Sequence, residues 1–183
     1  MLIDETGRFL HPRVRRRWSL LGRTPVVGGD GGHRTTGSVI GAVSVSPTAP
    51  RLGFHFATDV GGDFSAETVV ASLRDRLKHR RGKGVVIWDG GPNHKGPVVR
   101  EFLRRNKRWR RERLPPSAPD LNPVAAVWSG LKWGRLAHFV PEDLGEWDDW
   151  VVESLIELKP HPELLRALWG RSDLPFPDSP QDE

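Results

Sequence analysis

Only β-type segments come before the first amphipathic helix of this chain, and beyond that helix strands and helices alternate. Leu2–Asp4 is a short apolar run ending in acids. Thr24–Val27, with the G-G-D-G-G run at 28–32, reads as a strand and a turn. Ser38–Val45 and Arg51–Ala57 are β-like on either side of Pro47 and Pro50, the pattern of a hairpin. Asp63–Arg80 then carries Phe64, Val69, Val70, Leu73 and Leu77 at helical spacing, with Ser65 as N-cap. Val85–Trp88 is a buried-strand run, Pro97–Lys107 a helix, and Arg108–Leu114 a strand ended by two prolines. Helices over 123–136, 141–158 and 161–169 complete the chain. The order β, β, β, α, β, α, β, α, α predicts an α/β fold. It has an antiparallel three-strand meander continued by parallel strands into a mixed sheet, with helices on its faces.

In such sheets the site forms just past the carboxyl ends of the strands. Asp89 follows Val85–Trp88 directly, and Asp4 ends the first strand. Two carboxylates there can share a hard divalent cation, because Mg²⁺ takes oxygen ligands and needs only one or two from protein. Two such ions about 4 Å apart serve phosphoryl transfer, which ordinarily uses a third carboxylate. Strand-end aspartates are equally ordinary turn formers.

The stretch P-D-L-N-P-V-A-A-V-W at 119–128 is an unusually well-specified helix entrance. Asn122 suits the N-cap, and Pro123 the first helical position. Val124, Val127, Trp128 and Leu131 form the apolar stripe, whereas Ala125 and Ala126 present almost nothing in the first turn.

The chain has 28 Lys+Arg against 23 Asp+Glu, and the distribution says more than the net +5. Residues 1–140 hold 25 basic and 11 acidic side chains, and residues 141–183 hold 3 and 12. A basic body suits a polyanion partner. Arg supplies 22 of the 28 cations, which fits bidentate phosphate contact. The absence of cysteine excludes disulfides, thiolate metal sites and a cysteine nucleophile. No run of 18 apolar residues occurs, and the N-terminus lacks the layout of a signal peptide, so the expectation is no membrane and a cytoplasmic or nucleoid location.

Three blocks together resemble insertion-sequence transposases of the IS630/Tc1-mariner superfamily: 4–27 (D-E-T-G-R-F-L-H-P-R-V-R-R-R-W-S-L-L-G-R-T-P-V-V), 86–95 (V-I-W-D-G-G-P-N-H-K) and 114–132 (L-P-P-S-A-P-D-L-N-P-V-A-A-V-W-S-G-L-K). The resemblance covers roughly residues 1–140. It implies a ribonuclease-H-like DDE catalytic domain over 1–140, C-terminal helices packed on it or extending it over 141–172, and a flexible acidic tail over 173–183. It implies Mg²⁺, with Mn²⁺ able to substitute, metal-dependent DNA cleavage and strand transfer, DNA partners at transposon ends and target, and self-association. It places Asp4 and Asp89 at the first two catalytic and metal-binding positions. The third falls on Ala125, separated from Asp89 by 35 residues, where such proteins carry an acid. The implied enzyme is therefore impaired. Asp120, Glu5, Glu142 and Asp143 are the nearby acids weighed as substitutes. Asp120 precedes the helix, Glu5 points to the opposite sheet face from Asp4, and the last two lie beyond the helix.

Members also carry N-terminal helix-turn-helix segments, and none precedes Asp4 here. A split reading frame, a relic, and a non-catalytic DNA-binding or oligomerising regulator are accordingly the alternatives to a working enzyme.

Candidate DNA contacts are Arg13, Arg15, Arg16 and Arg17, the turn residues Asn93, His94 and Lys95, and Arg104, Arg105, Arg108 and Arg111 within the run 100–113. Each has a plainer reading. His94 can touch DNA or the metal's surroundings, or cap the helix at 97. The arginine run can be a solvated helix face, with Trp109 against a base or a stem. Trp88, Trp128 and Trp133 read as core.

Overall fold

The computed structural model describes residues 1–7, 21, 37–46, 51–78, 82–116, 118–137 and 139–176. Five strands form one sheet in the order β3-β2-β1-β4-β5. Strands β1 (Leu2–Gly7), β2 (Gly37–Val45) and β3 (Leu52–Val60) make the antiparallel meander, while β4 (Gly84–Trp88) and β5 (Trp109–Arg113) add in parallel. The expected hairpin is present, with Val45 opposite Leu52 and Ser46 N–H bonded to the Arg51 carbonyl at 3.2 Å. The expected strand at 24–27, with its turn, lies outside the described residues.

The two sheet faces carry separate cores. On one, α1 (Ala66–Lys78) and α2 (Pro97–Arg105) bury Val69, Val70, Leu73, Val99 and Phe102 against Ile3, Ile40 and Trp88. Ser65 caps α1 as the sequence predicts, accepting from Thr68 N–H at 3.2 Å. On the other face lie α3 (Pro123–Gly130), α4 (Leu144–Ile156) and α5 (Pro162–Trp169). There Val124, Val127, Trp128, Trp147, Val151, Leu155 and Trp169 cover Leu2, Val39 and Val43. The helix expected over 123–136 is α-helical only to Gly130 and continues as a π-helical turn, Leu131–Arg135. Trp133 is 41% exposed, which corrects its assignment to the core: helical periodicity places it opposite the stripe of Val124, Val127, Trp128 and Leu131, while Trp88 and Trp128 are buried.

Helix α4 starts where Asp143 accepts from Glu146 N–H at 2.8 Å. Residues 173–176 make ordered contacts, although the sequence suggests the start of a free tail. Asp173 N–H donates to the Asp120 carbonyl at 2.8 Å, Trp169 Nε1–H to the Leu174 carbonyl at 2.9 Å, and Phe176 meets Trp169 edge-on. No described helix is long and apolar enough to cross a membrane.

Candidate functional site

Parallel pairing of β1 with β4 brings Asp4 and Asp89 to the same end of the sheet, with Leu2 opposite Ile87. Asp4 lies within β1, and Asp89 follows the last residue of β4. Both line one cleft of about 310 Å³, and Ala125 lines it from the first turn of α3. The three positions that the resemblance singles out therefore converge.

Asn122 explains how α3 reaches that place. Its Oδ1 accepts from Val124 N–H at 3.2 Å, the cap expected from sequence, and its Nδ2 donates to the Ile3 carbonyl at 3.2 Å. One buried side chain thus starts the helix and ties it to the residue beside Asp4. On the neighbouring strand, Gly41 stands opposite Asp4 and leaves room for the Trp128 ring.

The two carboxylates differ. Burial pushes the Asp4 carboxyl up to about 7, with the charges of Glu5 and Asp89 adding to the rise. A hydrogen bond from the Glu5 backbone opposes the shift and is outweighed. Asp89 is open to solvent, 56% exposed at its side chain, yet its Oδ1 is held twice. Gly91 N–H donates to it at 2.8 Å, and His94 Nδ1 lies 2.7 Å away. Oδ2 is the oxygen those bonds leave for a ligand.

His94 is 3% exposed, so it sits too deep for DNA contact, and no side chain caps α2, which rules out its capping role there. Its Nε2 lies 2.8 Å from Glu5 Oε1, and its ring stacks on Trp88 at a centroid distance of 4.8 Å. Ionised carboxylates only accept hydrogen bonds, so the ring can donate to both at once only as an imidazolium. Burial alone would lower the His94 pKa, but the hydrogen bond and charge of Glu5, then the charge and hydrogen bond of Asp89, together raise it above its usual 6.5. Glu5 does point away from Asp4, as strand alternation requires, and reaches Asp89 from behind through His94. Sequence reasoning missed this link because 89 residues separate Glu5 from His94.

The remaining candidates spread out. Asn93 Nδ2 donates to the Phe64 carbonyl at 2.5 Å, while Lys95 is exposed at the end of the same turn. Arg104 and Arg105 both bind Glu101 on the exposed face of α2. Arg108 Nη2 donates to the Leu77 carbonyl at 2.9 Å, and Arg111 Nη1 to the His94 carbonyl at 3.1 Å. Trp109 is buried in the core under Gly84, which corrects its placement against a base. Arg13, Arg15, Arg16 and Arg17 lie outside the described residues. The basic side chain that does line the cleft is Arg113. Sequence reasoning passed over it, although its place at the end of a strand next to that of Asp89 was the available signal.

Among the described residues, the acids that line the cleft are Asp4 and Asp89. Asp120 lines a neighbouring pocket that shares Pro119, Asn122 and Ala125 with the cleft, Glu5 is held by His94, and Asp143 caps α4. Among the described residues no group of three or more His, Asp or Glu side chains could hold a metal ion.

A mixed sheet with helices on both faces and two acids at one end of the central strands defines a ribonuclease-H-like domain. A family model described as DDE superfamily endonuclease matches residues 1–142, and the chain belongs to that family. No curated protein sequence matches the chain. Among solved structures, the chain is similar to the Mos1 transposase in its paired-end complex with the left transposon end. The TM-score is 0.60 at 16% identity over 94% of this chain and 55% of that one. The Mos1 mariner paired-end complex with Mn matches with a TM-score of 0.62 at 16% identity, over 93% of this chain and 52% of that one. The isolated catalytic domain of Mos1 mariner transposase gives a TM-score of 0.57 at 14% identity, over 93% and 78%. These likenesses show the shared fold. The chain spans about half the length of the transposase chains in the paired-end complexes.

Proposed function

We propose that this chain is the catalytic portion of an insertion-sequence transposase of the IS630/Tc1-mariner kind, acting on DNA and impaired in its chemistry at Ala125. The observation that carries the reading is the convergence of Asp4, Asp89 and Ala125 on one cleft, with a purpose-built helix entrance aiming the alanine there. DNA as the partner is supported by the basic body of the chain and by the transposon-end complexes of Mos1.

The donor set fits one hard divalent ion, held by the Asp4 carboxylate and Asp89 Oδ2. Asp4 is desolvated beside another anion, so a cation there relieves the repulsion that raises its pKa. It does not fit a second ion, because Ala125 offers no oxygen ligand. When bound, Mg²⁺ or Mn²⁺ supplies Lewis-acid polarisation of a phosphodiester oxygen. The chain's own residues do the positioning: His94 and Gly91 N–H fix the rotamer of Asp89, and Asn122 fixes α3 against β1. Loss of one preorganised electrostatic group costs roughly 10²–10³-fold in rate.

A second reading, a non-catalytic DNA-binding regulator, is favoured by the lack of a substitute acid at the cleft among the described residues. Nicking and strand transfer of plasmid DNA with Mg²⁺ and with Mn²⁺ separate the two. The proteins compared are the natural chain, Ala125→Glu, and Ala125→Glu with Asp89→Asn. Activity in Ala125→Glu alone identifies a disarmed transposase. Activity of the natural chain that depends on Asp89 sinks the assignment of Ala125 as the lesion, and inactivity of all three leaves the regulator.

A further inference from the structure

The arginine at the cleft is held there by the sheet. Arg113 is the last residue of β5 and pairs in parallel with Trp88, the residue before Asp89. Leu114 N–H donates to the Trp88 carbonyl at 2.9 Å, so the backbone is fixed on both sides of the arginine. Its guanidinium lies directly on Gly90: any Cβ at position 90 would collide with Nη2, Nε and Cζ. A glycine immediately after Asp89 is what lets the cation share the cleft.

The lining leaves Arg113 without competition. Leu114, Pro115, Pro116, Ala118 and Pro119 offer a phosphate no side-chain donor, and the Asn122 amide is given to Ile3. Among the described residues Arg113 is the only cationic side chain lining the cleft. Among the described residues no carboxylate forms an ion pair with it, in contrast to Arg104 and Arg105. A guanidinium whose fork is free is matched to two oxygens of a phosphodiester. Ala125 removes one of the anions that would repel such a group.

We propose that Arg113 binds a DNA phosphate in this cleft without a metal ion, so that the chain keeps a phosphate-holding site where its set of acids is incomplete. The inference rests on the DNA-acting reading above and adds the residue and the metal independence.

Fluorescence anisotropy of a labelled DNA duplex, in EDTA and over a salt series, tests it with the full chain. The variants are Arg113→Gln, Arg113→Lys and, as a charge-matched control on the exposed face of α1, Arg74→Gln. Circular dichroism confirms that each is folded. Arg113→Gln is expected to weaken binding by about tenfold and to lower the slope of log K against log salt by about one. Arg113→Lys falls between, because it keeps the charge and loses the fork. The control stays within twofold. If the natural chain binds DNA and Arg113→Gln matches it in affinity and slope, the inference is overturned and the DNA-acting reading stands. Binding that appears only when Mn²⁺ replaces EDTA overturns the metal independence. Absence of binding under both conditions overturns the DNA-acting reading and the inference with it.

Discussion

The Asn122 side chain donates to the Ile3 carbonyl at 3.2 Å across 119 positions of sequence, while its other atom caps α3. The helix that presents position 125 and the strand that presents Asp4 are thus coupled through a single amide. Asn122→Ala removes both bonds and leaves a buried carbonyl and an N–H unpaired. The expected loss is about 1–3 kcal/mol in urea unfolding. Asn122→Asp keeps the cap but sets a buried carboxylate oxygen against the Ile3 carbonyl, so it should cost at least as much. Equal stabilities for all three proteins would show that the bridge contributes nothing.

Gly41 and Gly134 form a contrasting pair for alanine substitution. A Cβ at Gly41 would stand 2.6 Å from the Trp128 ring, whereas nothing lies within 4 Å of one at Gly134. Overpacking of this kind costs about 1–3 kcal/mol, so Gly41→Ala should lower the melting temperature and Gly134→Ala should not. A melting curve of Gly41→Ala that overlays the natural protein's would refute the packing described beside Asp4.

Stability of the metal-free protein should fall as pH rises from about 4 to 7. Asp4 has its carboxyl pushed up to about 7 against an ordinary 3.8, so the native state holds the proton more tightly than the unfolded chain in that window. His94, raised above 6.5, acts in the same direction, contributing stability at low pH that is lost as pH passes its native pKa. Asp4→Asn should flatten the curve and stabilise the protein at pH 8 by on the order of a few kcal/mol. Urea unfolding at pH 5 and pH 8 for both proteins gives the comparison, and identical pH slopes would contradict the burial assigned to Asp4.

Glu5→Ala should leave the buried His94 Nε2 without an acceptor, at a cost of about 1–3 kcal/mol. It should also lower the His94 pKa, since Glu5 supplies the largest of the effects that raise it. Titration of the His94 ring by NMR reads this directly. A His94 pKa that does not move on substitution would mean that the Glu5 contact is not formed in solution.

Much of the fold was legible because local chemistry specifies it. The alternation of β-type and helical periodicities predicted the mixed sheet, and both the Ser65 and Asn122 caps follow from residue type next to an apolar stripe. Asp89 was legible as a strand-end acid, since position at the end of a buried strand is itself a local signal, whereas Asp4, expected to end its strand, lies within β1, which runs on to Gly7. The arginines were not. Periodicity says that Arg104, Arg105, Arg108 and Arg111 lie in a basic run; it does not say that Glu101 and two carbonyls take up their donors.

By itself, then, the amino-acid sequence determined the order of elements, the acid that follows β4 and the alanine at the mouth of α3, because each depends on neighbours a few residues away. Only the tertiary structure decided which groups meet. Parallel pairing put Arg113 beside Asp89, and sheet alternation sent Glu5 to the far face, where His94 carries it back to Asp89. These contacts join residues far apart in the chain, and their energies exist only once the sheet register is set.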